Sequence, residues 1–160
     1  MNIAYRFIAD AMLGRLARWL RIMGFDTLYF RKIDDSEIIR IAKQEQRIIL
    51  TRDTELSKSK KVNHAILIHS NHYQEQLKEI LLFLKKCPFQ LSQLSCRCVN
   101  CNGELVLTDK KLILNDTPEY IFLHKNYFLR CANCSKVFWH GSQKEIINKT
   151  IEKICQELKN

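Results

Sequence analysis

The sequence predicts an α/β protein: a parallel sheet flanked by helices, followed by a small β-rich module with a metal-ligand pattern and then a C-terminal helix. Three observations predict it. Short apolar runs alternate with amphipathic helical stretches through residue 86, as in a parallel sheet covered on both faces. Acidic residues fall where those runs end or where helices open, at Asp10, Asp34-Asp35 and Asp53-Thr-Glu55. After Cys87-Pro88 the pattern changes to short β-like runs and paired cysteines.

Each element has its own reason. Tyr5-Arg-Phe-Ile-Ala9 reads as a buried strand. Ala11 to Met23 holds Leu13, Leu16, Ala17 and Leu20 at helical spacing, and Gly24 is a natural residue just past that helix. Thr27-Leu-Tyr-Phe30 is the second strand. Asp34 and Glu37 form a capping-box pattern opening a helix to Gln46, with Ile38, Ile41 and Ala42 inward. Arg47-Ile-Ile-Leu-Thr51 and Ala65-Ile-Leu-Ile-His69 are the third and fourth strands. Tyr73 to Lys86 is a helix with Leu77, Ile80, Leu81 and Leu84 inward. Residues 96–141 carry hairpin signals, and 142–158 return to a helical pattern with Ile146, Ile147, Ile151, Ile154 and Leu158 apolar. The change divides the chain into residues 1–88 and 89–160.

Composition sets the limits. A chain of 160 residues with 46% hydrophobic content builds a real core. No apolar run approaches the roughly 18 residues that span a bilayer. The opening Met1-Asn-Ile-Ala-Tyr-Arg lacks a signal-peptide layout, so a cytoplasmic location away from membranes is expected. Seven cysteines in that compartment point to metal or redox chemistry rather than disulfides. The formal charge of +9 points to a polyanionic partner, with nucleic acid ahead of membrane. Residues 1–86 carry 16 Lys and Arg against 10 Asp and Glu, and residues 87–160 carry 10 against 7, so the charge lies on both halves.

Cys98-Val-Asn-Cys101 and Cys131-Ala-Asn-Cys134 are two C-x₂-C knuckles, separated by the length of one or two hairpins. Each presents two thiolates to one tetrahedral Zn²⁺, as a zinc ribbon requires. Four protein ligands leave no open position, so such a zinc is structural. Cys96 competes with Cys98 for a place, and the knuckle spacing favours Cys98. Cys87 and Cys155 read as apolar residues, and His124 and His140 as unnecessary ligands.

Taken singly, each acid has a structural role: Asp10 and Asp34 as helix N-caps, Asp53 as the cap of a short turn with Glu55. Taken together they change meaning. In parallel sheets the ligand site lies beyond the carboxyl ends of the strands, and there Asp10, Asp35 and Asp53 approach one crevice. Gathered carboxylates repel, a divalent cation relieves them, and an all-oxygen set selects Mg²⁺ or Mn²⁺. Arg15, Arg18 and Arg21 recur along the first helix and Arg52 adjoins Asp53, forming either a solvated face or a phosphate-contacting rim. Thr51 reads equally as a strand end or as a hydrogen-bond partner of an acid or a metal-bound water.

These residues resemble the PIN-like ribonuclease family named for the Mut-seven C-terminal region. The matching stretches are Phe7-Ile-Ala-Asp-Ala-Met-Leu-Gly-Arg-Leu-Ala-Arg-Trp-Leu-Arg21, Gly24-Phe-Asp-Thr27, Asp34-Asp-Ser-Glu-Ile38 and Ile48-Ile-Leu-Thr-Arg-Asp53, then Arg97-Cys-Val-Asn-Cys-Asn-Gly103, Cys131-Ala-Asn-Cys134 and Val137-Phe-Trp-His-Gly-Ser142. The resemblance implies a PIN-like domain followed by a zinc ribbon, and Mg²⁺- or Mn²⁺-dependent cutting of RNA. By position, Asp10, Asp35 and Asp53 match the acidic set, Glu55 a weaker fourth place, and Cys98, Cys101, Cys131 and Cys134 the zinc ligands. Gln143 departs from it, standing where the family often has His. The alternative is a non-catalytic RNA-binding or adaptor protein using the ribbon, and a DNA-directed nuclease is a third reading. RNA target, oligomeric state and any protein partner such as an antitoxin are not legible.

Overall fold

The computed structural model describes residues 5–84, 97–139 and 142–158, with side chains of the last segment described from Ile147 onward. Expectations about Cys87, Cys96, His140, Ile146, the side chain of Gln143 and the helix end at Lys85-Lys86 lie outside the described residues.

The chain forms β1 (Arg6–Ala9), α1 (Gly14–Ile22), β2 (Asp26–Tyr29), α2 (Asp35–Gln44), β3 (Ile48–Thr51), α3 (Thr54–Lys58), β4 (Ala65–Leu67) and α4 (Tyr73–Leu84). It continues with β5 (Leu105–Leu107), α5 (Glu119–His124), β6 (Phe128–Cys131), β7 (Val137–Trp139) and α6 (Ser142–Glu157). The first four strands make one parallel sheet in the order β2-β1-β3-β4. Alternation along the strands sorts two cores. Phe7, Ala9 and Leu50 face α1, α4 and α6, through Leu16, Leu20, Leu77, Ile80, Ile151 and Ile154 among others. Ile8 and Ile49 face Ile38 and Ala42 of α2 and Leu56 of α3.

The first helix opens with a 3₁₀ turn, Ala11–Leu13, before α1 begins at Gly14. α1 ends as the amide of Phe25 donates to Leu20 O and that of Gly24 to Arg21 O, with Gly24 at φ 86°. Asp34 caps α2 by accepting from the Glu37 amide at 2.9 Å. Glu37 does not return the bond. Its carboxylate takes two bonds from Arg40 instead, so half of the expected capping box forms.

β5, β6 and β7 make a separate antiparallel sheet. Its core is small, consisting of Ile113, Phe128 and Val137 with Ile121 and Phe122 against them. Between β5 and β6 lie a 3₁₀ stretch, Lys110–Asp116, and α5, where hairpins alone were expected. Only Ile113 is buried in the run Leu112-Ile-Leu114, so that stretch leaves no periodic trace in the sequence.

α6 packs with the parallel sheet. Ile151, Ile154 and Cys155 are buried in the same core as Phe7 and Leu50, and Lys78 of α4 pairs with Glu157. The helix grouped with residues 89–160 by sequence is therefore shared with the first unit. Among the described residues, no helix is long and apolar enough to cross a membrane.

The small sheet is fastened to the large one around Asp26. Its Oδ1 accepts from Arg47 Nη1 at 2.6 Å and from Asn102 Nδ2 at 2.7 Å, and Arg97 approaches Oδ2 at 3.8 Å. Burial works to raise the Asp26 pKa, but the hydrogen bonds from Arg47 and Asn102 and the charges of Arg47 and Arg97 outweigh it and hold it at about 2. Asn102 also accepts from the Thr27 amide at 2.9 Å. It adopts φ 68°, a left-handed conformation that Asn tolerates, and so turns the first cysteine knuckle onto β2.

Candidate active site and metal centre

Asp10 follows β1 directly, and Thr51 ends β3, its neighbour in the sheet. The chain leaves β1 toward α1 on one face and reaches α3 from β3 on the other. This divergence makes a switch-point crevice at the carboxyl edge. The ladder extends one step into it, with the Asp10 amide donating to Leu50 O at 2.9 Å.

Asp10 is buried and well bonded. Its Oδ1 accepts from the Met12 amide at 2.8 Å, the N-cap of the 3₁₀ turn. Its Oδ2 accepts from Thr51 Oγ1 at 2.5 Å and from the Arg52 amide at 3.0 Å. Two carboxylate oxygens offer about four acceptor positions, so roughly one is left. Thr51 Oγ1 in turn accepts from the Asp53 amide at 2.9 Å. One buried hydroxyl thus ties the backbone at one acid to the carboxylate of the other.

Asp53 caps α3, its Oδ1 accepting from the amides of Glu55 at 2.7 Å and Leu56 at 3.1 Å. Its Oδ2 takes no hydrogen bond from the described residues. Asp35 opens α2 beyond the end of β2 and is exposed, as is Glu55. All four acids therefore lie toward the carboxyl edge of the sheet, and Asp10 and Asp53 are bridged through Thr51. Among the described residues, Asp10, Asp35 and Asp53 do not converge as a ready-made set of metal ligands.

Gly14 protects the same loop. A Cβ there would sit 2.6 Å from the Tyr29 ring, whose hydroxyl donates to Ala11 O at 3.2 Å. The close approach of Tyr29 to the turn after Asp10 needs the missing side chain.

The arginines separate. Arg15 and Arg18 are exposed, with Arg15 laid over the Tyr73 ring at 3.9 Å from its centroid. Arg21 corrects the expected stripe: it is buried, donating from Nε to Thr27 O at 2.8 Å and from Nη1 to Val99 O at 3.0 Å and Asn100 O at 3.2 Å. Steps of three residues drift about 60° each around a helix, so the third member turns away from the first. Arg52 is half-buried beside the acids, and its buried Nε has no hydrogen-bond partner among the described residues.

The sulfurs of Cys98, Cys101, Cys131 and Cys134 all lie within 4.8 Å of one another. Cys98 and Cys134 are 3.6 Å apart and Cys101 and Cys131 3.4 Å apart. These spacings are far beyond a disulfide and near the roughly 3.8 Å between sulfurs around one tetrahedral zinc. The donor set thus fits a soft metal such as zinc. Burial pushes the Cys101 thiol up to about 12, helped by its sulfur neighbours. At Cys131 burial also works upward, but the amides of Cys134 and Asn133 donate to Sγ and bring it to about 7. Gly103 lets the knuckles close, since a Cβ there would stand 2.8 Å from Cys131 Sγ. His124 stacks on Tyr120 and takes no part, and Cys155 is in the main core.

Sequence reasoning missed Asn102 as the clamp between the two sheets. Its signal was the Cys-Asn-Gly step after the first knuckle, where a residue tolerant of positive φ is required. It also missed the Arg15–Tyr73 pair, which depends on two helices meeting and leaves no local trace.

A parallel α/β sheet with acids at its switch point, joined to a small antiparallel sheet with four clustered cysteines, defines the structural class of the protein. Within that class the chain belongs to the Mut7-C RNAse domain family, whose model matches residues 5–151. The family's name suggests a ribonuclease-related function. No curated protein and no solved structure matches it.

Proposed function

We propose that this chain is a metal-dependent ribonuclease of PIN-like architecture whose reacting centre lies at the β1–β3 switch point. The observation that carries it is the Asp53 amide–Thr51 hydroxyl–Asp10 carboxylate chain, which orients two acids at that edge. Asp53 would hold Mg²⁺ or Mn²⁺ through Oδ2, and Asp10 through its remaining acceptor position. The donor set is all oxygen, as those ions prefer. Asp35, with Glu55, would complete the set or orient the attacking water. A divalent cation there supplies positive charge to the scissile phosphate and a more acidic water. Arg18 and Arg52 would hold flanking phosphates. Zinc on Cys98, Cys101, Cys131 and Cys134 would be structural and would keep the small sheet in place beside the substrate.

Purified protein, labelled single-stranded RNA and DNA, and Mn²⁺, Mg²⁺ or no divalent cation test the reading. Metal-dependent RNA cleavage should fall on the order of 100-fold or more in Asp53→Asn and Asp10→Asn. Full activity in both variants would remove the acids from the mechanism. The capping roles of Asp10 and Asp53 favour a second reading, a non-catalytic RNA-binding protein. It predicts RNA binding without turnover in well-folded, zinc-loaded protein.

A further inference from the structure

A polar cleft of about 430 Å³ opens beside the turn that follows Asp10, with Met12, Arg15, Asn71, His72, Tyr73 and Gln74 among its lining. Its size is within the range of small-ligand sites, roughly 300–1,000 Å³. We infer that this cleft is a nucleotide subsite that seats one unpaired nucleotide of the RNA strand next to the scissile phosphate, an assignment that rests on the nuclease reading for its place in the reaction.

Four observations carry it. The first is position: Met12 lines the cleft, and its amide holds Asp10 Oδ1 at 2.8 Å, so cleft and acid share one 3₁₀ turn. The second is a fixed planar cation. Tyr73 is stacked on Trp19 at 5.3 Å, and the Arg15 guanidinium lies on Tyr73 at 3.9 Å. A guanidinium held over a ring keeps its N–H donors for a phosphate, and only its outer face is left to meet a base.

The third is rigidity of the wall after β4. Glu79 accepts from the amides of His69 at 2.9 Å and Ser70 at 3.0 Å, Gln76 Nε2 donates to Ser70 O at 3.0 Å, and the His72 amide donates to Ser70 Oγ at 3.0 Å. A loop pinned this way loses little freedom when a ligand enters. The fourth is the mixture of groups. Met12 is 67% exposed and offers a polarisable apolar surface, and the amides of Asn71 and Gln74 both donate and accept. A base needs an apolar or aromatic face and amide-like edges, and it offers them only when unpaired. The cleft lies on the α1–α4 side, whereas Asp53 begins α3 on the other. The strand would cross the sheet edge from the cleft over Asp10 to Asp53.

The test separates this assignment from the nuclease reading. Binding of a short fluorescein-labelled single-stranded RNA to zinc-loaded Asp53→Asn protein is measured by anisotropy, without added divalent cation and over a salt series. In that background Met12→Ala and Gln74→Ala should each weaken binding by about three- to tenfold. Arg15→Ala should also reduce the salt slope by about 0.7. The same RNA in a duplex should be insensitive to Met12→Ala and Gln74→Ala. Binding unchanged in all three variants, or no RNA binding by the Asp53→Asn parent, overturns the subsite. Acid-dependent cleavage with unchanged binding would leave the nuclease standing without the cleft. Weakened binding in a protein that never cleaves would leave the cleft standing without the nuclease.

Discussion

Thr51 contributes one hydroxyl, yet that hydroxyl is a donor to Asp10 and an acceptor for the Asp53 amide. Thr51→Val keeps the shape and removes both bonds, leaving a buried carboxylate short of a donor. A loss of about 1–3 kcal/mol in stability is expected, with a fall in cleavage of roughly 10- to 100-fold. Thr51→Ser should recover most of the activity, and denaturant melts beside single-turnover cleavage would check both. Asp26 makes a pH prediction. Its pKa drops from near 3.8 to about 2 on folding, so the unfolded chain takes up the proton first as pH falls. Its contribution, about 2 kcal/mol, is present above pH 4 and is lost as pH falls through 2. The stability difference between wild type and Asp26→Asn, measured by denaturant unfolding, should therefore shrink across that window.

At the scale of elements, α1 serves two neighbours. Its exposed side carries Arg15 and Arg18, and its buried Arg21 bonds the first knuckle at Val99 and Asn100. Arg21→Ala should lower stability by about 3 kcal/mol, because charge-assisted bonds to buried carbonyls are lost together. It should also speed release of the knuckle metal to a chelator. Arg18→Ala should leave stability within about 0.5 kcal/mol and weaken RNA binding, as melting and anisotropy would report. This division was half legible. Ile48-Ile-Leu50 and the Leu16–Leu20 spacing announce themselves because local pattern and burial agree. Arg21 reads as one more surface cation, since what buries it is a knuckle 78 residues away. The acids were legible as a set at the strand ends. The cap at Asp10 and a Thr51 bond to an acid were each among the readings of the sequence; that both fall on one carboxylate, together with the Arg52 amide, was not legible, because it depends on the neighbouring strand's end. The Lys110–Asp116 and α5 insertion was hidden for another reason: a core as small as Ile113, Phe128 and Val137 leaves most of its leucines exposed.

For the molecule as a whole, the four-cysteine cluster and the Asp26 clamp are two attachments of one module. Metal analysis should find one zinc per chain, held by the four sulfurs. Stripping it should cost the small sheet its fold, since such a site contributes on the order of 10 kcal/mol and the apolar core beside it is only a few residues. The parallel sheet should survive with α6 in place, so heating should then show two transitions where the loaded protein shows one. Cys134→Ser, at the exposed ligand, should reproduce the stripped behaviour in milder form.

The return of α6 to the first core also sets an order of events during synthesis. The face of α4 that Ile151, Ile154 and Cys155 cover is made about seventy residues before its cover. A nascent chain has by then produced the four acids at the sheet edge and must make the whole cysteine module before α6 can pack. A chain interrupted before α6 would carry the acids on an incomplete body with Leu77, Ile80 and Leu84 uncovered, an apolar surface prone to association.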